Sequence, residues 1–137
     1  MSEANKAISD HMAEEVWSQG NLDAVDELCA PDVVLHGALP GMPSGREGIK
    51  AIVSMYRDAF PDFKVTNEFV MAEGDMVASR WSTSATHKGE LMGIPATGNQ
   101  VSTTGISISR IVEGKIVEVW SESDQMDLMQ QLGVAPR

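Results

Sequence analysis

Residues 103–133 leave room for almost no loop, and they constrain the fold more than any other stretch of the chain. Ile106 and Ile108 alternate with Ser107 and Ser109, the period-2 pattern of a strand with two unlike faces. Glu113-Gly114 supplies a tight turn, because glycine can take positive φ, and residues 115–120 run back as a β-branched strand. Ser123 or Asp124 then stands where a helix would be capped, before Met126, Leu128, Met129 and Leu132 at helical spacing and Gly133 as the stop. Two strands and a closing helix joined this tightly make an antiparallel hairpin. Polar side chains of that hairpin are expected to line part of any working site.

Upstream, the pattern is helical first. Residues 4–19 carry an apolar stripe of Ile8, Met12, Val16 and Trp17, stopped by Gly20. Asn21 is expected to cap a short helix with Leu22, Val25 and Leu28 inward. Pro31 ends that helix, and Val33-Val34-Leu35 reads as a brief buried strand finishing at His36. A Gly/Pro loop fills residues 37–45, and Ser44 with Glu47 forms a capping-box pair before a helix over 46–60. Its inward residues are Ile49, Ile52, Val53, Tyr56 and Phe60. After Pro61-Asp62 the period changes to two: Phe63, Val65, Asn67, Phe69 and Met71 share one strand face. Glu73-Gly74-Asp75 turns the chain, residues 76–87 form a long strand, and a Gly/Pro-rich connection over 88–98 leads into the hairpin. Helices, then an antiparallel meander, then a short helix make an α+β order within one domain spanning 1–137. A curved antiparallel sheet wrapped around the N-terminal helices closes into a cone, which leaves a pocket at its open end.

Charge removes several classes of function. Twenty acidic residues against ten basic ones give a net charge of −10, and the basic residues are scattered, so neither nucleic acid nor an anionic membrane is an expected partner. No apolar run approaches spanning length, and Met1-Ser2-Glu3-Ala4-Asn5 resembles no secretory leader. The lone Cys29 suits a reducing compartment, and a cytoplasmic location is expected. His11, His36 and His87 lie on separate elements without a short-spaced ligand pair, so no metal is expected. The glycines of 89–98 make neither a phosphate loop nor a dinucleotide fingerprint, so no cofactor is expected either. That leaves small neutral molecules or protein partners, and a small apolar or aromatic organic molecule is the expected one.

Three segments carry a family likeness: Pro31-Asp-Val-Val-Leu-His36, Thr86-His-Lys-Gly-Glu-Leu-Met-Gly-Ile-Pro-Ala-Thr-Gly98, and Arg110-Ile-Val-Glu-Gly-Lys-Ile-Val-Glu-Val-Trp120 running on to Gln131-Leu-Gly133. In order and spacing they resemble the SnoaL-like polyketide cyclases, also called ester cyclases, within the nuclear-transport-factor-like, or cystatin-like, α+β barrels. The resemblance implies a conical barrel with an apolar cavity, a homodimer or higher homo-oligomer, and ring closure by intramolecular aldol condensation without metal or cofactor. It further implies an acid–base aspartate on the last strand and a helping histidine on the strand before. Those columns fall on Ser121 and Ser107, and a serine with no base beside it cannot accept a proton as a carboxylate does.

The substitute acid–base candidates are His36 and Asp124. His36 ends a strand beside a restricted loop, and it either transfers protons or bonds the loop backbone. Asp124 follows the last strand, where it either reaches a cavity or caps the next helix. Trp81, His87, Met92, Ser107, Ser121 and Tyr56 are the candidate substrate-binding residues. His87 shares strand parity with Trp81, though anchoring of the Gly-rich connection explains it equally well. Arg80, on the opposite parity, is expected to pair with a carboxylate. Two other functions fit the same pocket: a ligand-binding module without catalysis, and a hydroxylase or hydratase. Ile106, Ile108 and Trp120, on the face opposite the serines, are where subunits would meet.

Overall fold

The structure, a computed structural model, describes residues 2–36 and 41–133, so part of the loop read at 37–45 lies outside the described residues. α1 (Ser2–His11) passes directly into a π-helical stretch, Met12–Ser18. There the Gln19 N–H reaches five residues back to the Glu14 carbonyl at 3.0 Å. Periodicity predicts the helix, but not this wider coil, which turns both Met12 and Trp17 toward the space beneath the sheet. α2 (Asp23–Leu28) starts without a side-chain cap, so Asn21 does not play the capping role expected of it.

β1 (Cys29–His36) differs most from expectation. It begins before Pro31 rather than after it, and only Val33 of the apolar run is fully covered, Val34 being 48% exposed. Proline is tolerated because β1 is an edge strand with a register shift between Cys29 and Val34. α3 (Gly45–Ala59) follows Ser44, which holds the N-cap position without a side-chain bond. β2 (Lys64–Glu73), β3 (Met76–Thr86), β4 (Gln100–Val112) and β5 (Lys115–Ser123) form the expected antiparallel meander, and α4 (Gln125–Gln131) closes the described chain. The sheet order is β1-β5-β4-β3-β2, with β1 parallel to β5, so the sheet is mixed rather than wholly antiparallel.

A bulge between Asn67 and Phe69 reverses the parity of β2. Val65 and Asn67 face inward before it, whereas Phe69 and Met71 emerge on the outer face at 57% and 59% exposure. The β4–β5 turn is the two-residue Glu113-Gly114 turn, both residues at positive φ (51° and 78°), as a tight hairpin requires.

The interior holds two apolar clusters rather than one. Val16, Val25, Val33, Val53, Val77 and Ile116 pack at one end, and Phe60, Ala85, Leu91, Val101, Leu128 and Leu132 at the other. The connection 88–99 is tied down at its base, where Lys88 and Gly89 donate to the Ala59 carbonyl at 2.9 and 3.0 Å. Beside it, the Asp62 carboxylate accepts from the Thr86 backbone N–H at 2.7 Å and the Thr86 hydroxyl at 2.8 Å. These bonds, the backbone one foremost, hold the Asp62 carboxyl below the usual value. A folded value below the unfolded one gives stability that is present above the unfolded value, ~4, and is lost as pH falls through the folded one. Asp62→Asn is therefore expected to cost stability at neutral pH, with the difference from wild type shrinking below about pH 4. Urea unfolding at stepped pH reads this directly; a difference that stays flat under acid would show that the charge contributes nothing.

Candidate functional site

Between the helices and the inner face of the sheet lies a cavity of about 480 Å³, a size that suits a small organic molecule. Residues from both apolar clusters border it, among them Ile49 and Ile116 from one and Phe60 and Leu128 from the other. The helical wall is aromatic. The Trp17 ring lies 6.3 Å from Tyr56 and 6.0 Å from Phe63, and Tyr56 lies 6.4 Å from Phe60. The first two pairs meet edge-on and tilted, at 62° and 47°, and the third is stacked at 15°.

The sheet wall is set by register. Ser79, Ser107 and Ser121 stand side by side across β3, β4 and β5, and Trp81, Gly105 and Ser123 make the next row. The Ser107 and Ser121 hydroxyls are 2.8 Å apart, and the Trp81 indole N–H donates to Ser107 Oγ at 2.9 Å. Gly105 is what allows the indole to lie there: a Cβ on it would fall 2.3 Å from Trp81 Cζ2. At one side of the cavity the Gln125 amide donates to Ser123 Oγ at 2.9 Å and, more weakly, to the Tyr56 oxygen at 3.4 Å. Burial pushes the Tyr56 phenol above its usual value, against a smaller opposing pull from Gln125. Near neutral pH it is thus an O–H donor. Met92 borders the same space from the connection 88–99, in the left-handed region at φ 46°.

Of the residues singled out in the sequence, Trp81, Tyr56, Met92, Ser107, Ser121 and His36 border this cavity. His36 does so from the end of β1, but its ring stacks on Trp120 at 5.0 Å and its Nε2 lies 2.6 Å from Glu118 Oε2. Glu118 in turn reaches Arg110 at 3.5 Å. Asp124 stands outside the lining and is an N-cap, its carboxylate accepting from the Asp127 N–H at 3.0 Å. His87 is also outside the lining: β3 stops at Thr86, so the inward parity of Trp81 and Thr83 is not carried on. It is fully buried beside Phe60, with Nδ1 accepting from the Thr97 N–H at 3.2 Å. This is the anchoring role. Arg80 forms no ion pair among the described residues, contrary to expectation, because its register neighbours Phe69 and Ile106 are apolar. Trp17, Phe63, Ser79, Gly105 and Gln125 are site residues that sequence reasoning missed. Strand parity was the available signal for three of them: Ser79 with Trp81, Gly105 with Ser107, and Phe63 with Val65.

Among the described residues, three of those lining the cavity are ionisable: His36, Glu122 and Tyr56. Glu122 holds the register position opposite outward Ile106. The cavity surface is otherwise apolar, hydroxyl or amide in character, and it suits an uncharged ligand with oxygen atoms to be bonded. Among the described residues no group of three His, Cys, Asp or Glu is placed to hold a metal ion, and no helix is long and apolar enough to cross a membrane.

A mixed sheet curled around helices to enclose such a cavity is the nuclear-transport-factor-like α+β architecture. The chain belongs to the SnoaL-like polyketide cyclase family, whose model matches residues 7–132. It is 32% identical over 122 residues to aklanonic acid methyl ester cyclase DauD of Streptomyces sp. (strain C5), covering 87% of this chain and 76% of that one. Among solved structures, TsrD from Streptomyces laurentii superposes with a TM-score of 0.88 at 26% identity, covering 96% of each chain. IdmH from Streptomyces antibioticus does so with a TM-score of 0.82 at 35% identity, covering 95% of this chain and 99% of that one.

Proposed function

We propose that this protein is a cofactor-independent cyclase that closes a ring by intramolecular aldol-type chemistry on an uncharged, largely apolar carbonyl compound. The observation that carries the reading is the cavity, aromatic on one wall and hydroxyl-bearing on the other, in a chain of this family. Aldol closure needs a base for a proton next to a carbonyl and donors for the oxygen that gains charge. Ser107, Ser121 and Tyr56 supply donors. The base we assign is His36, which borders the cavity at the end of β1 and whose Nε2 pairs with Glu118 at 2.6 Å. Asp124 stays a positioning residue, because its carboxylate is committed to starting α4. Met92 and Trp81 contact the body of the substrate, while His87 holds the connection that carries Met92.

The assay is conversion of aklanonic acid methyl ester, the compound in the relative's name, to a product of unchanged mass and altered chromatographic retention. His36→Ala is expected to slow it about 100-fold or more. Unchanged turnover would remove His36 from the role. The alternative is a ligand-binding module without catalysis, favoured by the serine pair and by the capping role of Asp124. Saturable binding of the ester with no conversion by wild type would select it. Oxygen consumption linked to turnover would select a hydroxylase instead.

The working form is a homodimer built on the outer sheet face, in a cytoplasmic setting that suits buried, unpaired Cys29. Phe69, Met71, Ile106 and Ile108 are 37–59% exposed there, in adjacent register rows. An apolar patch of this kind favours association. Phe69→Glu is expected to halve the mass seen by light scattering at micromolar concentration. A wild-type protein that is already monomeric would end this proposal.

A further inference from the structure

Register places two unpartnered charges at the middle of the outer sheet face. Ser79, Trp81, Ser107, Ser121 and Ser123 line the cavity, so alternation turns the side chains of Arg80, Ile106 and Glu122 outward. These three make one row across β3, β4 and β5, with Phe69 at its β2 end. Arg80 and Glu122, two strands apart, stand about 10 Å from each other with Ile106 between them. Among the described residues neither forms an ion pair or a side-chain hydrogen bond. Arg110, on the same face, is by contrast held by Asp75 at 3.0 Å and Glu118 at 3.5 Å. The next row is Ala78, Ile108 and Trp120, small on the β3 side of β4 and large on the β5 side. Along β4 itself the face is apolar, with Ile106 and Ile108 exposed.

We propose that this face meets a second copy of the chain about a two-fold axis running along β4, so that Arg80 of each subunit pairs with Glu122 of the partner subunit. The inference rests on the homodimer reading and supplies its geometry. Two identical sheets packed face to face have their two-fold axis in the plane between them. An axis along β4 exchanges its two sides, laying β3 of one copy over β5 of the other. Arg80 then lies over Glu122 of the partner subunit, and symmetry makes the contact twice. A long arginine and a glutamate together span the ~10 Å between packed sheets. An axis across the strands through the same row lays β3 on β3 and brings like charges together instead. The neighbouring row makes the same choice: about β4, small Ala78 comes opposite large Trp120 of the partner subunit, as close packing needs. Because β4 is the middle of five strands, this axis also lays the whole sheet over its copy. Each chain carries a net charge of −10, which opposes association of two copies, and the paired contacts offset that repulsion where it counts.

The test is sedimentation equilibrium of the full chain with charge-reversal variants, and it needs no substrate. R80E and E122R should each weaken the dimer about 100-fold, because each puts two like-charge contacts into the interface. Mixed in equal amounts, R80E and E122R should associate as tightly as wild type, since both contacts in the mixed dimer join opposite charges. The double variant R80E/E122R should likewise recover the dimer. Should a reversal fail to fold, R80Q and E122Q remove a charge without adding one and should each weaken the dimer about tenfold. A dimer as tight as wild type in any of these single variants, or a mixture that stays monomeric, would overturn the proposal. Tighter association of R80E with wild type than with E122R would point to the crosswise axis and overturn it too. A dimer lost in F69E but indifferent to the charge reversals would sink this geometry and leave the outer-face homodimer standing. A monomeric wild type would end both and give the face to another partner.

Discussion

Arg57→Ala is expected to lower stability by about 3 kcal/mol or more, and the melting temperature by about 10 °C, the largest loss from any single surface-reaching side chain here. The guanidinium donates to four backbone carbonyls from separate stretches of chain: Trp17 at 3.0 Å, Ser18 at 2.8 Å, Pro61 at 3.1 Å and Phe63 at 3.1 Å. The first two belong to the π-helical end, where carbonyls lack helical partners, and the others to the link between α3 and β2. Hydrogen bonds from a charged donor contribute about 1.5–3 kcal/mol each, but four sharing one side chain do not add. Arg57→Lys should recover little, because one ammonium cannot span the same fork. Loss of Arg57 also frees Trp17, so ligand affinity should fall with stability. Thermal unfolding checks the first part, and a melting shift below about 2 °C would refute it.

Gly105→Ala should be nearly as damaging, and its effect falls on the site itself. The added methyl would sit 2.3 and 2.4 Å from two carbons of the Trp81 ring and 2.7 Å from the Glu122 carbonyl oxygen. Backbone blocks it on one side, so the indole must leave, taking the bond to Ser107 with it. Overpacking of this kind costs about 1–3 kcal/mol. If the two residues compete for one volume, Trp81→Ala should cost less in the G105A background than in wild type. Equal costs in both backgrounds would mean that they do not.

The same hairpin shows how far the sequence could be read. Its serine–isoleucine alternation and two-residue turn mark the hairpin, but the turn alone would set Ser107 opposite Trp120; a register shift between Arg110 and Ile111 is what brings Ser107 opposite Ser121. The reading fails where one residue changes parity without a local mark. Glu68 at the β2 bulge looks like any exposed strand residue, yet it turns Phe69 and Met71 from core to surface. Pro31 reads as a boundary because proline usually is one, but an edge strand with a register shift absorbs it. Strand parity extended one residue past the end of β3 would carry His87 into the cavity, whereas the anchoring role open to it in the sequence is the one it holds. In the site, the hydroxyl row was legible from alternation, whereas Trp17 and Phe63 meet Tyr56 only through the wider coil and the chain reversal after α3.

The seam between β1 and β5 has a consequence for the order of events during synthesis. His36 and Glu118, bonded across it, are separated by 82 positions in the chain. Cys29 and Val33 share a cluster with Ile111 and Ile116. Until Lys115–Ser123 have left the ribosome, β1 has no strand to pair with and its end of the cone has no far wall. The helices and strands made first must wait, with their apolar sides uncovered, for a strand made near the end.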